Sequence, residues 1–298
     1  MTMPHHLASA QSDAHEGPDR RPLEGFGPGG FEVVNPAVRR GPFRVALFDF
    51  DGTLSLLREG WPQIMVDRML HHLRQQQLIR EPEEDCAASL ERFILALNGH
   101  PTMKQMERFA EEVRIRGGRA APPADYLQDY LAALMATVRQ RWENLARGQA
   151  RTADWVVPAT HRMLAQLQQR QVELYVASGT DEGQVRHEVD LLQLAAYVGD
   201  RVFAPARNDP NFRKRDVIAR AIAEQNISGE QLIGFGDGVV ETQEVKRVGG
   251  VAVGVASQPA GVRGVNAAKR ATLIAAGADI IIPDYEQGEA LLAWLWGS

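Results

Sequence analysis

The chain has 298 residues, 44% of them hydrophobic and 24% charged, with a formal net charge of −5. Such a length allows one large domain or two modest ones, and the composition permits a sizeable core. The acidic balance argues against a broad nucleic-acid footprint, and no run approaches the roughly 18 apolar residues of a membrane span.

The N-terminus carries no basic segment followed by an apolar run, so the cytoplasm is the expected compartment. Residues 1–40 are rich in Gly, Pro, Asp and His and lack apolar periodicity. They read as a flexible extension, with a short edge strand conceivable over 31–34 and the pair His5-His6 inert. Order is expected from Phe43. The run Arg44 to Phe48 is short, apolar and followed by acids and Gly, which suits a buried parallel strand.

From about Trp61 to Arg147 the pattern is helical. Met65, Met69, His72 and Leu73 share one face, as do Leu90, Phe93, Ile94 and Leu97. Breaks at 98–101 and at Ala121-Pro122-Pro123 divide this stretch into about four helices. Cys86, the single cysteine, falls here among acids, where a nucleophilic thiol is not expected.

Beyond Thr160 the rhythm changes. Helices over 161–169, 182–192, 214–224, 239–248, 267–276 and 286–296 alternate with strands over 172–177, 201–204, 231–235, 251–255 and 279–282. Strand–helix alternation means a parallel sheet covered on both faces, and such sheets bind ligands beyond the carboxyl ends of their strands.

Four segments fall at those ends. In Asp49-Phe50-Asp51-Gly52-Thr53, side chains two apart on extended backbone point the same way, so both carboxylates can face one pocket. Close carboxylates repel unless a cation or a proton intervenes, and magnesium favours such oxygen ligands. Ser178-Gly179-Thr180 offers a hydroxyl and free amides to an anion, although Thr180 or Asp181 can equally cap the next helix. Arg213-Lys214-Arg215 sets cations at a helix start, where the dipole does not favour them. Gly236-Asp237-Gly238 with Glu241 adds two acids one helical turn apart.

Taken together and in this order, the segments resemble the haloacid dehalogenase superfamily over about residues 43–285. The resemblance implies an α/β fold with a Rossmann-like three-layer core and an inserted all-helical cap. It divides the chain into the extension 1–40, a core of 41–58 with 150–298, and a cap of 59–149, as in phosphoglycolate phosphatase-like and phosphoglucomutase-like members. It implies that Asp49 is the nucleophile and Asp51 the proton shuttle. Ser178, the Gly179 amide and Lys214 would bind the phosphoryl group, with Arg213 and Arg215 as rivals for the Lys214 role. Mg2+ would be held by Asp49, the Asp51 carbonyl and Asp237, with Glu241 acting through water. The second Asp of the pair argues for phosphoryl transfer rather than carbon–halogen cleavage.

The expected activity is magnesium-dependent hydrolysis of a small phosphorylated metabolite, such as a sugar phosphate, since a closed cap leaves no path for a polymer. A phosphomutase on the same scaffold and a non-catalytic binding protein are the competing readings. For specificity, Arg58 in the linker and Thr102, Lys104 and Gln105 at the helical break are the candidates, and Gly60 is a candidate hinge. The stretch from Lys269 to Asp279 is assigned to the scaffold.

Overall fold

The computed structural model describes residues 26, 30–97, 102–206, 209 and 211–297. Within them a seven-stranded sheet has the order β1-β7-β6-β5-β2-β3-β4. The strands are β1 (Glu32–Val33), β2 (Val45–Phe48), β3 (Glu173–Ala177), β4 (Val202–Phe203), β5 (Leu232–Gly236), β6 (Val251–Val255) and β7 (Ile280–Ile282). All pairings are parallel except β1 with β7. The chain lays β3 and β4 on one side of β2, then crosses to lay β5, β6 and β7 on the other. A crevice at the carboxyl end of β2 follows from that reversal.

The register sets the site. Phe48 lies level with Val176 of β3 and with Phe235 of β5. Asp49 therefore leaves the sheet at its centre, with Ser178 and Asp237 emerging one residue further along on either side.

Strand alternation supplies two cores. Ala46, Phe48, Leu174, Val176, Ile233 and Phe235 face one layer, and Val45, Leu47, Tyr175, Ala177 and Leu232 face the other. The first layer is covered by α5 (Thr160–Gln169), α6 (Glu182–Leu191), α7 (Ala195–Val198) and α11 (Gly288–Trp296), the second by α8 (Lys214–Gln225) and α9 (Val239–Arg247). The remaining core helix, α10 (Ala267–Ala276), packs Leu273 against Ala256 and Ile281. The short helix α7 has no counterpart in the expected elements, because four residues carry too little periodicity to register.

Between β2 and β3 stand α1 (Trp61–Gln75), α2 (Glu83–Ala96), α3 (Thr102–Ile115) and α4 (Pro123–Ala146). They bury a core of their own, including Met65, Met69, Leu73, Leu90, Ile94, Phe109 and Val138. Half-buried Trp142 packs against both this core and that of the sheet. The two crossings are tied together, since Leu56 N donates to Trp155 O at 2.8 Å and Val157 N to Leu54 O at 3.1 Å. Arg141 braces the first crossing by donating to the carbonyls of Leu57 and Glu59, both at 2.8 Å. Gly60 takes φ +87° at the start of α1, a left-handed value that glycine accepts at no steric cost.

The expected flexible extension needs correction. Residues 30–40 join the fold: β1 pairs with β7, Phe31 packs on Trp294, and Arg270 forms a bidentate pair with Glu32. The short edge strand read over 31–34 is β1, at Glu32–Val33. The pair His5-His6 and the break at 98–101 lie outside the described residues. No helix among the described residues is long and apolar enough to cross a membrane.

Candidate active site

The loop after β2 is built to hold two carboxylates still. The Phe50 carbonyl accepts from the amides of Thr53, Leu54 and Ser55, and Gly52 N donates to Ser55 O. Gly52 sits at φ +75°, and a Cβ there would meet the Asp237 carboxylate and the Lys269 ammonium. Ser257 Oγ donates to Gly52 O at 2.5 Å and Tyr285 Oη to Thr53 O at 3.0 Å. Tyr285 is itself fixed edge-on against Phe48 and Phe235, which stack at 4.7 Å.

Three acids meet above this loop. One carboxylate oxygen each from Asp49, Asp237 and Glu241 lie within 4.8 Å of one another. Lys214 Nζ donates to Asp49 Oδ1 at 2.6 Å and to Glu241 Oε2 at 3.0 Å. Glu241 Oε1 accepts from Gly238 N at 2.6 Å, which fixes the carboxylate at the start of α9. Of the three cations of 213–215, Lys214 is the one that reaches these acids: Arg215 is exposed and pairs with Asp216, and Arg213 donates to Phe212 O.

Burial pushes the Asp49 carboxyl well above its ordinary range against the pull of Lys214, and it raises Asp237 against the pull of Lys269. Burial acts the same way on Glu241, but there the Lys214 charge wins and the carboxyl is lowered. Both lysines are raised, because their carboxylate partners outweigh burial. Carboxylates outnumber cations here, and all the donors of the triad are oxygens. That set fits a hard divalent cation.

Asp51 stands apart from the triad. Thr180 Oγ1 donates to its Oδ2 at 2.7 Å, and Arg58 Nε lies 3.2 Å from its Oδ1 as an ion pair without an aligned hydrogen bond. Asp181, not Thr180, caps α6, accepting from the amides of Gly183 and Gln184. Ser178 is buried, and its Oγ accepts from Thr180 N at 3.0 Å. Gly179 is exposed with nothing within 4 Å of its Cβ position.

The specificity candidates fare differently. Arg58 is at the site, but its NH2 already donates to Glu188 Oε1 at 2.6 Å and Gln184 Oε1 at 2.9 Å. Its charge is spent on protein carboxylates, so it has no free charge to offer a substrate carboxylate. Gln105 is buried and donates to Ile94 O at 2.9 Å, bracing α3 on α2. Lys104 is exposed and paired with Glu107 at 2.7 Å. Thr102 begins α3 and is half-buried. No contact among the described residues brings Thr102, Lys104 or Gln105 to the acid cluster. Cys86 is buried in the helical core, and burial pushes its thiol up to about 11.

Three residues here were not expected. Lys269, assigned to the scaffold, reaches Asp237 Oδ2 at 2.9 Å, Ser257 Oγ at 3.0 Å and Glu59 Oε1 at 3.2 Å. Its signal was spacing: Lys269 lies four residues before buried Leu273, so it shares the inward face of α10. Glu59 belongs to the crossing and looked like a linker charge. Glu188 is fully buried between Val185 and Val189 on the inward face of α6, and a charge at an apolar period position was its signal. Burial and the nearby Asp51 charge push it up to about 8.

Solved structures share this architecture. A predicted phosphoglycolate phosphatase from Haemophilus somnus is 14% identical with a TM-score of 0.56, over 84% of this chain and 96% of that one. A conserved haloacid dehalogenase-like protein of unknown function from Agrobacterium tumefaciens is 15% identical with a TM-score of 0.60, over 85% and 99%. A HAD family hydrolase from Deinococcus radiodurans, with bound phosphate and sodium, is 15% identical with a TM-score of 0.54, over 85% and 96%. No curated protein matches. The family model for haloacid dehalogenase-like hydrolases matches residues 43–249, a span that holds the Asp49 loop, Lys214, Asp237 and Glu241, and by that match the chain belongs to this family.

Proposed function

We propose that the chain is a phosphoric monoester hydrolase acting on a small phosphorylated metabolite. The observation that carries this is Lys214, whose ammonium touches Asp49 and Glu241 at the edge of a triad of carboxylates. A lysine fixed against the acid that is to attack offsets the charge of an incoming phosphoryl group. Phosphate bound in the Deinococcus radiodurans hydrolase is in keeping with that reading.

In this reading an Asp49 carboxylate oxygen attacks phosphorus, the ester P–O bond breaks, and Asp51 delivers its proton to the departing oxygen. Asp51 then takes a proton from water, the new hydroxyl bonds to phosphorus, and the Asp49–phosphorus bond breaks to release phosphate. Ser178, the Gly179 amide and Lys214 hold the equatorial oxygens. Asp49, Asp237 and the Asp51 carbonyl would hold Mg2+, with Glu241 acting through water, and the ion when bound supplies positive charge against the phosphoryl oxygens. Residues 59–149 form the cap on a core of 41–58 with 150–298, and the cap limits access to small substrates.

The purified protein should release phosphate from 4-nitrophenyl phosphate in magnesium, and EDTA should abolish the release. Isomerised sugar phosphate with little free phosphate would indicate a mutase instead.

Burial of Asp49 and Asp237 has a second consequence. A carboxyl raised on folding contributes stability below the ordinary carboxylate range near 4 and loses it as pH rises through the raised value. Metal-free protein should therefore lose Tm as pH rises above the ordinary carboxylate range, and Glu188, pushed up to about 8, adds to the loss between pH 6 and pH 8. Magnesium should raise Tm more at the higher pH, because its ligands must be deprotonated. Thermal unfolding in EDTA and in magnesium at both pH values tests this, and equal increments would refute it.

A further inference from the structure

We propose that Glu188, acting through Arg58, is a positioning residue for Asp51. This rests on the reading of Asp51 as the proton shuttle.

Asp51 is held from two directions. Its Oδ2 accepts from Thr180 Oγ1 at 2.7 Å, and its Oδ1 lies 3.2 Å from Arg58 Nε. The Arg58 guanidinium is steered in turn. Its NH2 is bonded to Glu188 Oε1 at 2.6 Å and Gln184 Oε1 at 2.9 Å, and its NH1 points at Met135 Sδ, 3.5 Å away. Thr180 precedes α6, while Gln184 and Glu188 stand on it. One helix therefore sets both oxygens of Asp51.

Fold stability does not account for Glu188. It is fully buried, and its carboxylate meets the Trp142 indole N–H, which pulls it down against burial, without a hydrogen bond of ordinary geometry at Oε2. Burying an ion pair costs about as much as the pair returns. An apolar pair in place of both Arg58 and Glu188 would cost the core little. What the carboxylate does achieve is geometric: it draws the guanidinium toward α6 and leaves only Nε facing Asp51. Without it, the nearest carboxylate left to Arg58 is Asp51. The arginine would close on Asp51 with two parallel N–H groups, as arginine does with free carboxylates. The oxygen that must face the leaving group would then be covered.

The test compares two esters. An alkyl phosphate needs its leaving oxygen protonated, whereas 4-nitrophenolate departs with little help. Glu188→Gln should lower kcat/KM for an alkyl phosphate by about 10²-fold and for 4-nitrophenyl phosphate far less. Glu188→Asp, which keeps the charge, should fall between wild type and Glu188→Gln in the alkyl-to-aryl ratio. If Glu188→Gln does not fold, Arg58→Lys carries the test, because a single ammonium cannot hold Asp51, Gln184 and Glu188 in one plane, and the same loss of ratio is expected. Equal losses on both esters would show a merely structural role and overturn the proposal, as would an unaltered ratio. A wild-type protein that releases phosphate from neither ester would remove the phosphatase reading and this proposal with it.

Discussion

Asp49→Asn is expected to remove nearly all turnover, by about 10³-fold or more, while the protein still folds. The amide is close in shape to the carboxylate but cannot attack phosphorus. It also relieves crowding, since Asp49 shares its space with Asp237 and Glu241 and is raised by burial and by both of their charges. Lys214 keeps Glu241 as a carboxylate partner, so the variant should remain folded in EDTA. Steady-state hydrolysis of an aryl phosphate, with circular dichroism for folding, measures both effects. Wild-type rates in a folded Asp49→Asn protein would rule out the covalent mechanism.

Lys214→Met is expected to damage both stability and catalysis. The lysine is mostly buried between two carboxylates, at 2.6 Å from Asp49 and 3.0 Å from Glu241. Removing one partner of a buried pair leaves uncompensated charge, at a cost of about 3–5 kcal/mol. The loss should be partly reversed by magnesium, which offers replacement charge to the same carboxylates. Loss of a fixed cation opposite the transferring group should lower kcat/KM by about 10²–10³-fold. Lys214→Arg should recover little, since a planar fork cannot occupy the place of a compact ammonium between two acids. Denaturant unfolding with and without magnesium, beside kinetics, separates the two effects. A variant as stable and active as wild type would remove Lys214 from the site.

Asp49, Lys214, Asp237 and Glu241 were legible because each ends a strand or begins a helix in a regular α/β rhythm. Local pattern fixes both the element and the end of it, and parallel topology then brings those ends together. Glu59, Glu188 and Lys269 were not legible in that way. Their places depend on contacts between elements far apart in the chain, such as Glu59 with Lys269 and Arg58 with Glu188. In a sequence, a charge in a linker or on a helix looks solvated. Only the spacing of Glu188 and Lys269 against buried neighbours hinted otherwise. Lys104 and Gln105 show the converse: a polar break between helices suggested a substrate contact, and their bonds turn out to be internal to the helical insertion.

The strand β1 has a consequence for self-association. The parallel strands leave β7 at one border of the sheet with a row of unpaired amides and carbonyls. Residues 32–33 run against it and cap that row, while Val34 N and Asn35 N are both spent on Asp279 O. The opposite border, β4, is only two residues long. Among the described residues both border strands are two residues long, which limits the free backbone either presents to a neighbouring chain. The residues that cap β7 lie outside the span 43–249 matched by the family model, so the cover over this sheet border comes from sequence beyond that span.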